Sequence, residues 1–462
     1  MVKRRIKNMF GRLLNNKNRN PRKAQYLHRD KHGIDTNKVS RHAIKVCEVL
    51  QENGYQAYIV GGAVRDLIAG IQPTDFDVAT NATPQQIRPL FRRARIIGRR
   101  FQLVHVVFGR EIIETSTFRA AVNGQQATDE HGRIVRDNLF GSQQEDADRR
   151  DFTLNALYYD PKQELVIDFH NGVADIKNRI VRVIGDPETR YREDPVRMLR
   201  AIRFAAKLDA QIEAATLAPI HHMAELIRHV PGSRLFDELL KLLTCGEAVR
   251  ALHYLRDQGL QTYMLPQLDA VLQEPGGADF IELALQRTDE RIRTGNTISP
   301  GFLFASLLWK LVKRYWEEGV ERGEHLIPAL AQACDTVLSN QARTLAIHRR
   351  FQADMREIWM MQPRFERFNK RSLWRLTEHA RFRAGVGFLQ LRAEAREVDS
   401  VHAQWWADLS NANYNKRVDM VEAWFKNQPG ARKSSGRRRR PRRRGRRSAA
   451  KKSTPSNDNS DN

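Results

Sequence analysis

Several common signatures are missing from this chain, and each absence narrows what it can be. There are three cysteines, Cys47, Cys245 and Cys334, far apart and without a CxxC pair. That spacing excludes a disulfide framework and a zinc motif, and the three thiols are expected in helices as small apolar residues of a protein from a reducing compartment, the cytosol. No apolar run is long enough to span a bilayer, and the first residues lack the apolar stretch of a signal peptide, so no stable membrane insertion is expected. Neither G-x-G-x-x-G nor a Walker A loop occurs, which disfavours a Rossmann site and a P-loop.

Positive charge is what the chain has in excess, and it sits at the ends. The formal net charge is +24. Residues 1–31 hold eleven Lys/Arg against one Asp, and residues 432–452 hold thirteen against no acid. The stretch from Gly436 to Arg447 has no apolar surface to offset chain entropy, and its charges repel one another, so it is expected to be disordered. Arg437, Arg438, Arg439, Arg440, Arg442, Arg443 and Arg444 are expected to grip RNA phosphates without regard to sequence, more weakly as salt rises. A solvated tail without a partner is the plainer reading. Base stacking is not expected there, because no aromatic residues are interleaved. The N-terminal arm, weakly amphipathic over residues 3–14, suits either RNA or an anionic membrane surface.

The chemistry is concentrated in residues 61–77. Gly61-Gly62 follows the strand-like Tyr55–Val60, and two glycines let backbone approach a phosphate closely. Asp75-Phe76-Asp77 reads as the start of another strand, where a period of two puts both carboxylates on one face. Arg65, on the short helix after the glycines, is placed to reach a triphosphate. Asp66 is expected to orient it or to cap. Paired carboxylates beside a phosphate cradle make a site for Mg²⁺ on a nucleotide and point to nucleotidyl or phosphoryl transfer. Farther on, 103–108 and 111–118 read as a hairpin turning at Gly109-Arg110, and 120–146 as a mobile polar loop. His105 alternates with apolar residues and is expected to be structural.

The stretch GGAVRDLIAG…PTDFDVATNATP resembles the signature of the class II nucleotidyltransferases, the bacterial poly(A) polymerases and CCA-adding tRNA enzymes. Arg149-Arg150-Asp151-Phe152-Thr153-Leu154-Asn155 and Glu193-Asp194-Pro195-Val196-Arg197-Met198-Leu199-Arg200 agree with it, and the likeness runs from about residue 40 to 245. Ile96–Val106 resembles the segment that marks the poly(A) polymerase branch. The resemblance implies template-independent addition of AMP from ATP to RNA 3′ ends by a two-ion Mg²⁺ site, in the service of RNA processing and decay. It implies Asp75 and Asp77 as metal ligands and a third catalytic carboxylate, for which Asp151 leads and Glu114 competes. Gly61, Gly62, Arg65 and Arg150 would hold the triphosphate, while Asp194 and Arg197, one helical turn apart, would read the base with Arg200 beside them. Partners implied are RNA and, through it, decay machinery or an RNA chaperone.

The expected fold is α+β: a small mixed-sheet, polymerase-beta-like head, then an all-helical body, with disordered basic tails. The expected divisions are a basic arm (1–34), a catalytic head (35–172), a helical nucleotide-recognition neck (173–245), a helical RNA-binding body (246–430) and an Arg-rich tail (431–462). The tryptophans are expected in the helical core. Clusters such as Arg364–Phe368 and Arg381–Arg383 read either as core or as an RNA path. Two other functions stay open: a CCA- or A-adding tRNA nucleotidyltransferase, which would use CTP or demand a tRNA-like acceptor, and an RNA-binding protein with an idle catalytic fold.

Overall fold

Eight short strands, rich in β-branched and aromatic residues, assemble the head in a computed structural model that describes residues 23–98, 102–120 and 140–427. In chain order they are β1 (Gln25–Leu27), β2 (Ala57–Val60), β3 (Asp77–Thr80), β4 (Ala94–Ile97), β5 (Leu103–Phe108), β6 (Glu111–Thr117), β7 (Leu157–Asp160) and β8 (Leu165–Asp168). The sheet order is β1-β8-β7-β2-β3-β6-β5-β4. All neighbours run antiparallel except β3 and β6, which are parallel. The expected hairpin is β5–β6, turning at Gly109 with φ +60°. The basic arm ends sooner than expected, because Gln25–Leu27 pairs with Val166–Asp168 as an edge strand of the head.

The helix Arg41–Glu52 covers one face of the sheet. Ser40 caps it by accepting from the amides of His42 and Ala43, and Ala43, Val46, Cys47 and Leu50 form its buried stripe. From Pro187 onward the chain is almost wholly helical, to Asn427. One hydrophobic core is continuous from head to body, joining Ile59 and Val78 of the sheet to Phe204, Phe236, Trp309 and Trp359. A second core gathers Met361, Phe365, Leu373, Phe382, Leu389, Trp406 and Val421 at the C-terminal end.

All three cysteines are free. Cys47 and Cys334 are buried in helices as expected, whereas Cys245 lies in the turn after the helix Gly232–Leu243. Trp309, Trp359 and Trp406 are core residues. Phe365 and Phe382 are buried too, so the two Arg/aromatic clusters are built around core rings. Among the described residues, no helix is long and apolar enough to cross a membrane. Residues 121–139 of the expected loop, and Arg437 to Arg444 of the tail, lie outside the described residues.

Candidate active site

At the sheet centre, β2 ends at Val60 and the chain turns through Gly61, at φ +68° and ψ −125°, into the helix Gly62–Ile68. A left-handed φ strains any residue with a side chain, and a Cβ at Gly61 would also stand 3.2 Å from Nη1 of Arg150. The glycine therefore serves both the turn and the close approach of that guanidinium.

Asp77 is the first residue of β3, paired with Val60 on one side and with Glu114 of β6 on the other. Asp75 precedes the strand, exposed, with its carboxylate accepting from the Thr74 hydroxyl at 3.0 Å. Asp77 is also open to solvent, yet enough protein surrounds it to push its carboxyl up to about 6. Partial loss of water is the main cause, Glu114 and Asp75 add to it, and Arg150 acts against it. His105 of β5 stands opposite Glu114 in turn, with Nε2 3.3 Å from Oε1 but without hydrogen-bond geometry. Asp77, Glu114 and His105 thus form one row across three strands.

Asp151, the leading candidate for the third carboxylate, is engaged on both oxygens. One of its oxygens accepts from the Phe152 amide (2.9 Å) and the Asn155 amide nitrogen (3.0 Å), and the other from Arg200 at 2.6 Å. Its carboxyl is held below the usual range: burial opposes ionisation, but Arg200 and these hydrogen bonds outweigh it. The acid that strand register brings level with Asp77 is Glu114, the other candidate.

Arg65 is likewise committed elsewhere. It is 5% exposed, bonded to Asp66 (2.8 Å) and to the Asn155 side-chain oxygen (2.7 Å), and lies 4.7 Å from the Phe204 ring centre. Its guanidinium sits in the wall below Gly62, whose Cβ would be 3.6 Å from Nη2. Asp66 is structural, as expected, and also accepts from Lys207 at 2.7 Å, tying the glycine helix to the helix Val196–Lys207. Arg200 and Arg203 approach the same Phe204 ring, and Glu238 balances them.

Arg150 is held by the Asp146 carboxylate (3.1 and 3.3 Å), the Tyr158 hydroxyl (3.2 Å) and the Asn155 carbonyl (3.2 Å). Asp146 also accepts from Arg149 at 2.6 Å, from Tyr158 at 2.7 Å and from the Arg119 amide at 3.2 Å. It is 1% exposed; burial alone would raise its carboxyl, but the two guanidiniums and the phenol push it down to about 2. Sequence reasoning missed Asp146 and Asn155. The signal for Asp146 was its spacing, three and four residues before two arginines on one helical turn.

Asp194 and Arg197 do not share a helical face. Asp194 is extended, at φ −152°, between the helices Pro187–Glu193 and Val196–Lys207. It pairs with Arg234 at 2.7 Å, while Arg197 pairs with Glu193 at 2.9 Å. The proline at 195 is the cause, since it drives the residue before it out of helical geometry.

The exposed carboxylates of Asp75 and Asp77 are hard oxygen donors with negative charge, which suits Mg²⁺. Among the described residues, no group of three His, Cys, Asp or Glu side chains is gathered tightly enough to hold a metal ion. The donor set fits by chemistry, with Asp75 and Asp77 as its members nearest one another in sequence.

Three family models match the chain: "Poly A polymerase head domain" over residues 57–182, "Probable RNA and SrmB- binding site of polymerase A" over 209–272, and "Polymerase A arginine-rich C-terminus" over 322–446. The chain is 41% identical over 421 residues to Poly(A) polymerase I of Salmonella typhi, covering 88% of this chain and 90% of that protein. A CCA-adding enzyme of Levilactobacillus brevis is 36% identical over 258 residues, or 54% of this chain and 64% of that one. Among solved structures, the Bacillus stearothermophilus CCA-adding enzyme in complex with CTP aligns with a TM-score of 0.51 at 26% identity, covering 83% of this chain and 81% of that one.

Proposed function

The chain belongs to the bacterial poly(A) polymerase family and is a nucleotidyltransferase that adds adenylate to RNA, and on that premise we propose that transfer occurs at the surface edged by Gly61, Asp75, Asp77 and Arg150. The RNA 3′-hydroxyl oxygen attacks the α-phosphorus of ATP, the new O–P bond forms, the bond to the bridging oxygen breaks, and pyrophosphate leaves. Gly61 and Gly62 let the triphosphate approach the backbone, and Arg150 supplies fixed positive charge where it lands. Arg65 supports the loop from below instead of touching phosphate. Asp75 and Asp77 would hold a pair of Mg²⁺ ions, with Glu114 as the third carboxylate in place of Asp151. Bound Mg²⁺ supplies charge neutralisation of the triphosphate and makes the attacking hydroxyl more acidic.

Asp194 and Arg197 would read the adenine edge, Asp194 accepting from the N6 amine once it leaves Arg234, and Arg197 donating to N1 through Nη2 while its Nη1 stays on Glu193. Arg200, held on Asp151, fixes the helix that carries Arg197. The Arg-rich tail would retain RNA by its phosphates, and access of decay machinery or an RNA chaperone to that RNA belongs to the same reading. The observation that supports this site most is the row Asp77–Glu114 with Asp75 beside it, acidic groups at the edge of the Gly61 turn.

The fold is shared with CCA-adding enzymes, so the test compares the two. A labelled, unstructured RNA and a tRNA lacking its CCA end are each supplied with single nucleotides. Expected is a long ladder on the plain RNA with ATP and little extension with CTP. Short, CTP-dependent addition confined to the tRNA would overturn the assignment, and no extension of either would favour an idle RNA-binding fold. Asp75→Asn and Asp77→Asn should abolish the ladder and leave RNA binding intact; a ladder that survives both would refute the metal site.

A further inference from the structure

Arg190, in the neck, has no part in the chemistry above, yet it touches both ends of the proposed nucleotide site. Its side chain is 14% exposed. Nη2 donates to the carbonyls of Arg149 and Arg150 at once, each at 2.7 Å. These carbonyls lie just past the helix Gln143–Asp148, where backbone acceptors lack helical partners. Nη1 donates to Glu193 at 2.8 Å, and the same Glu193 oxygen accepts from Arg197 at 2.9 Å. Arg197 also donates to the backbone carbonyl of Arg190 at 2.7 Å.

Gly185, at φ +93°, turns the chain beside this side chain, and an added Cβ there would make only an ordinary contact, 3.6 Å from its Cδ. Nε is enclosed without an acceptor among the described residues, a cost that the double contact of Nη2 has to offset.

A purine and a pyrimidine present their hydrogen-bonding edges at different distances from the triphosphate. A fixed separation between a phosphate-facing and a base-facing guanidinium therefore discriminates between them. We propose that Arg190 is a positioning residue for nucleotide selection, its clamp on the Arg149 and Arg150 carbonyls setting the distance from Arg150 to Arg197 and so favouring ATP over CTP. This role presupposes that Arg150 and Arg197 contact the nucleotide.

The test uses the full chain with Arg190→Gln, Arg190→Lys, Arg150→Ala, Arg197→Ala and the double variant Arg190→Gln/Arg197→Ala. Single-nucleotide primer extension gives kcat and KM for ATP and CTP, and thermal melting reports the fold. Arg190→Gln should raise KM for ATP about tenfold and lower the ATP:CTP ratio of kcat/KM by a similar factor. Arg190→Lys, which keeps a cationic donor, should recover part of both and carries the test if the Gln variant does not fold. In the Arg197→Ala background, Arg190→Gln should leave the ratio where Arg197→Ala puts it. An unchanged ratio in folded Arg190 variants, with a lower Tm alone, would make Arg190 structural and overturn the role. If Arg150→Ala and Arg197→Ala themselves leave KM and the ratio untouched, the nucleotide contacts are misassigned and the role of Arg190 falls with them. An Arg190 effect that simply adds to that of Arg197→Ala would overturn the coupling while leaving the contacts standing.

Discussion

Asp77 of β3 and Glu114 of β6 stand opposite each other in parallel register, two carboxylates at one level of the sheet. Partial loss of water is the main reason the Asp77 carboxyl rises to about 6, and the like charges of Glu114 and Asp75 add to it. The folded state therefore holds this proton more tightly than the unfolded chain does. The penalty is fully present above about pH 6 and fades as pH falls towards the unfolded value near 4. Asp77→Asn should accordingly raise the Tm of the metal-free protein at pH 7.5, with the gain gone by about pH 4, even as transfer is lost. Melting curves in chelator across that range decide it, and a Tm that falls at pH 7.5 would contradict the account.

Asp146 carries the opposite sign. Its folded carboxyl lies at about 2, below the unfolded value, so its stabilisation is present above about pH 4 and is lost as pH falls towards 2. Asp146→Asn leaves Arg149 and Arg150 short of their shared counter-charge in a buried site. The loss should be about 3 kcal/mol in urea unfolding, with KM for ATP raised because Arg150 is no longer aimed. A loss below about 0.5 kcal/mol would remove Asp146 from its place as the hub.

Arg65 and Arg150 should separate in kinetics. Arg65 is locked to Asp66 and Asn155 behind the glycine turn, so Arg65→Ala is expected to cost about 3 kcal/mol of stability through unpaired buried partners. Arg150→Ala should act on KM for ATP more than Arg65→Lys does. The reverse order in steady-state kinetics would return Arg65 to the triphosphate.

Removal of residues 432–462 should raise the RNA concentration needed for half-maximal rate and leave kcat at saturating RNA nearly unchanged. Thirteen Lys/Arg lie in residues 432–452, and each RNA phosphate that they no longer neutralise lowers the slope of log affinity against log salt by about 0.7 on a single strand. Salt titrations of binding by the two chains read this directly; equal slopes would locate the grip in the helical body.

Local chemistry made much of this architecture legible in the sequence alone. The glycine turn and the β5–β6 hairpin follow from residues adjacent in sequence, where turn geometry and a period of two decide, whereas the acidic strand starts only at Asp77 and leaves Asp75 before it. Glu114 was visible as a competitor because the second hairpin strand was expected beside the acidic one, but only the parallel register puts it level with Asp77. What escaped were commitments made across long separations. Arg65 finds Asn155, Asp151 finds Arg200 and Asp194 finds Arg234, and no periodicity encodes such pairings. The shared helical face expected for Asp194 and Arg197 is absent for a local reason, Pro195, whose effect on its predecessor was available and outvoted by the spacing.

Two of the apolar cores share helices. The helix Arg349–Glu366 gives Trp359 to the core that runs from the sheet through Phe204, and Phe365 to the C-terminal one; Phe382–Glu394 gives Phe388 to the first and Leu389 to the second. A packing error around Trp406 is therefore felt along two rigid rods that reach the main core, so the far end of the body is mechanically joined to the head that carries the acidic row.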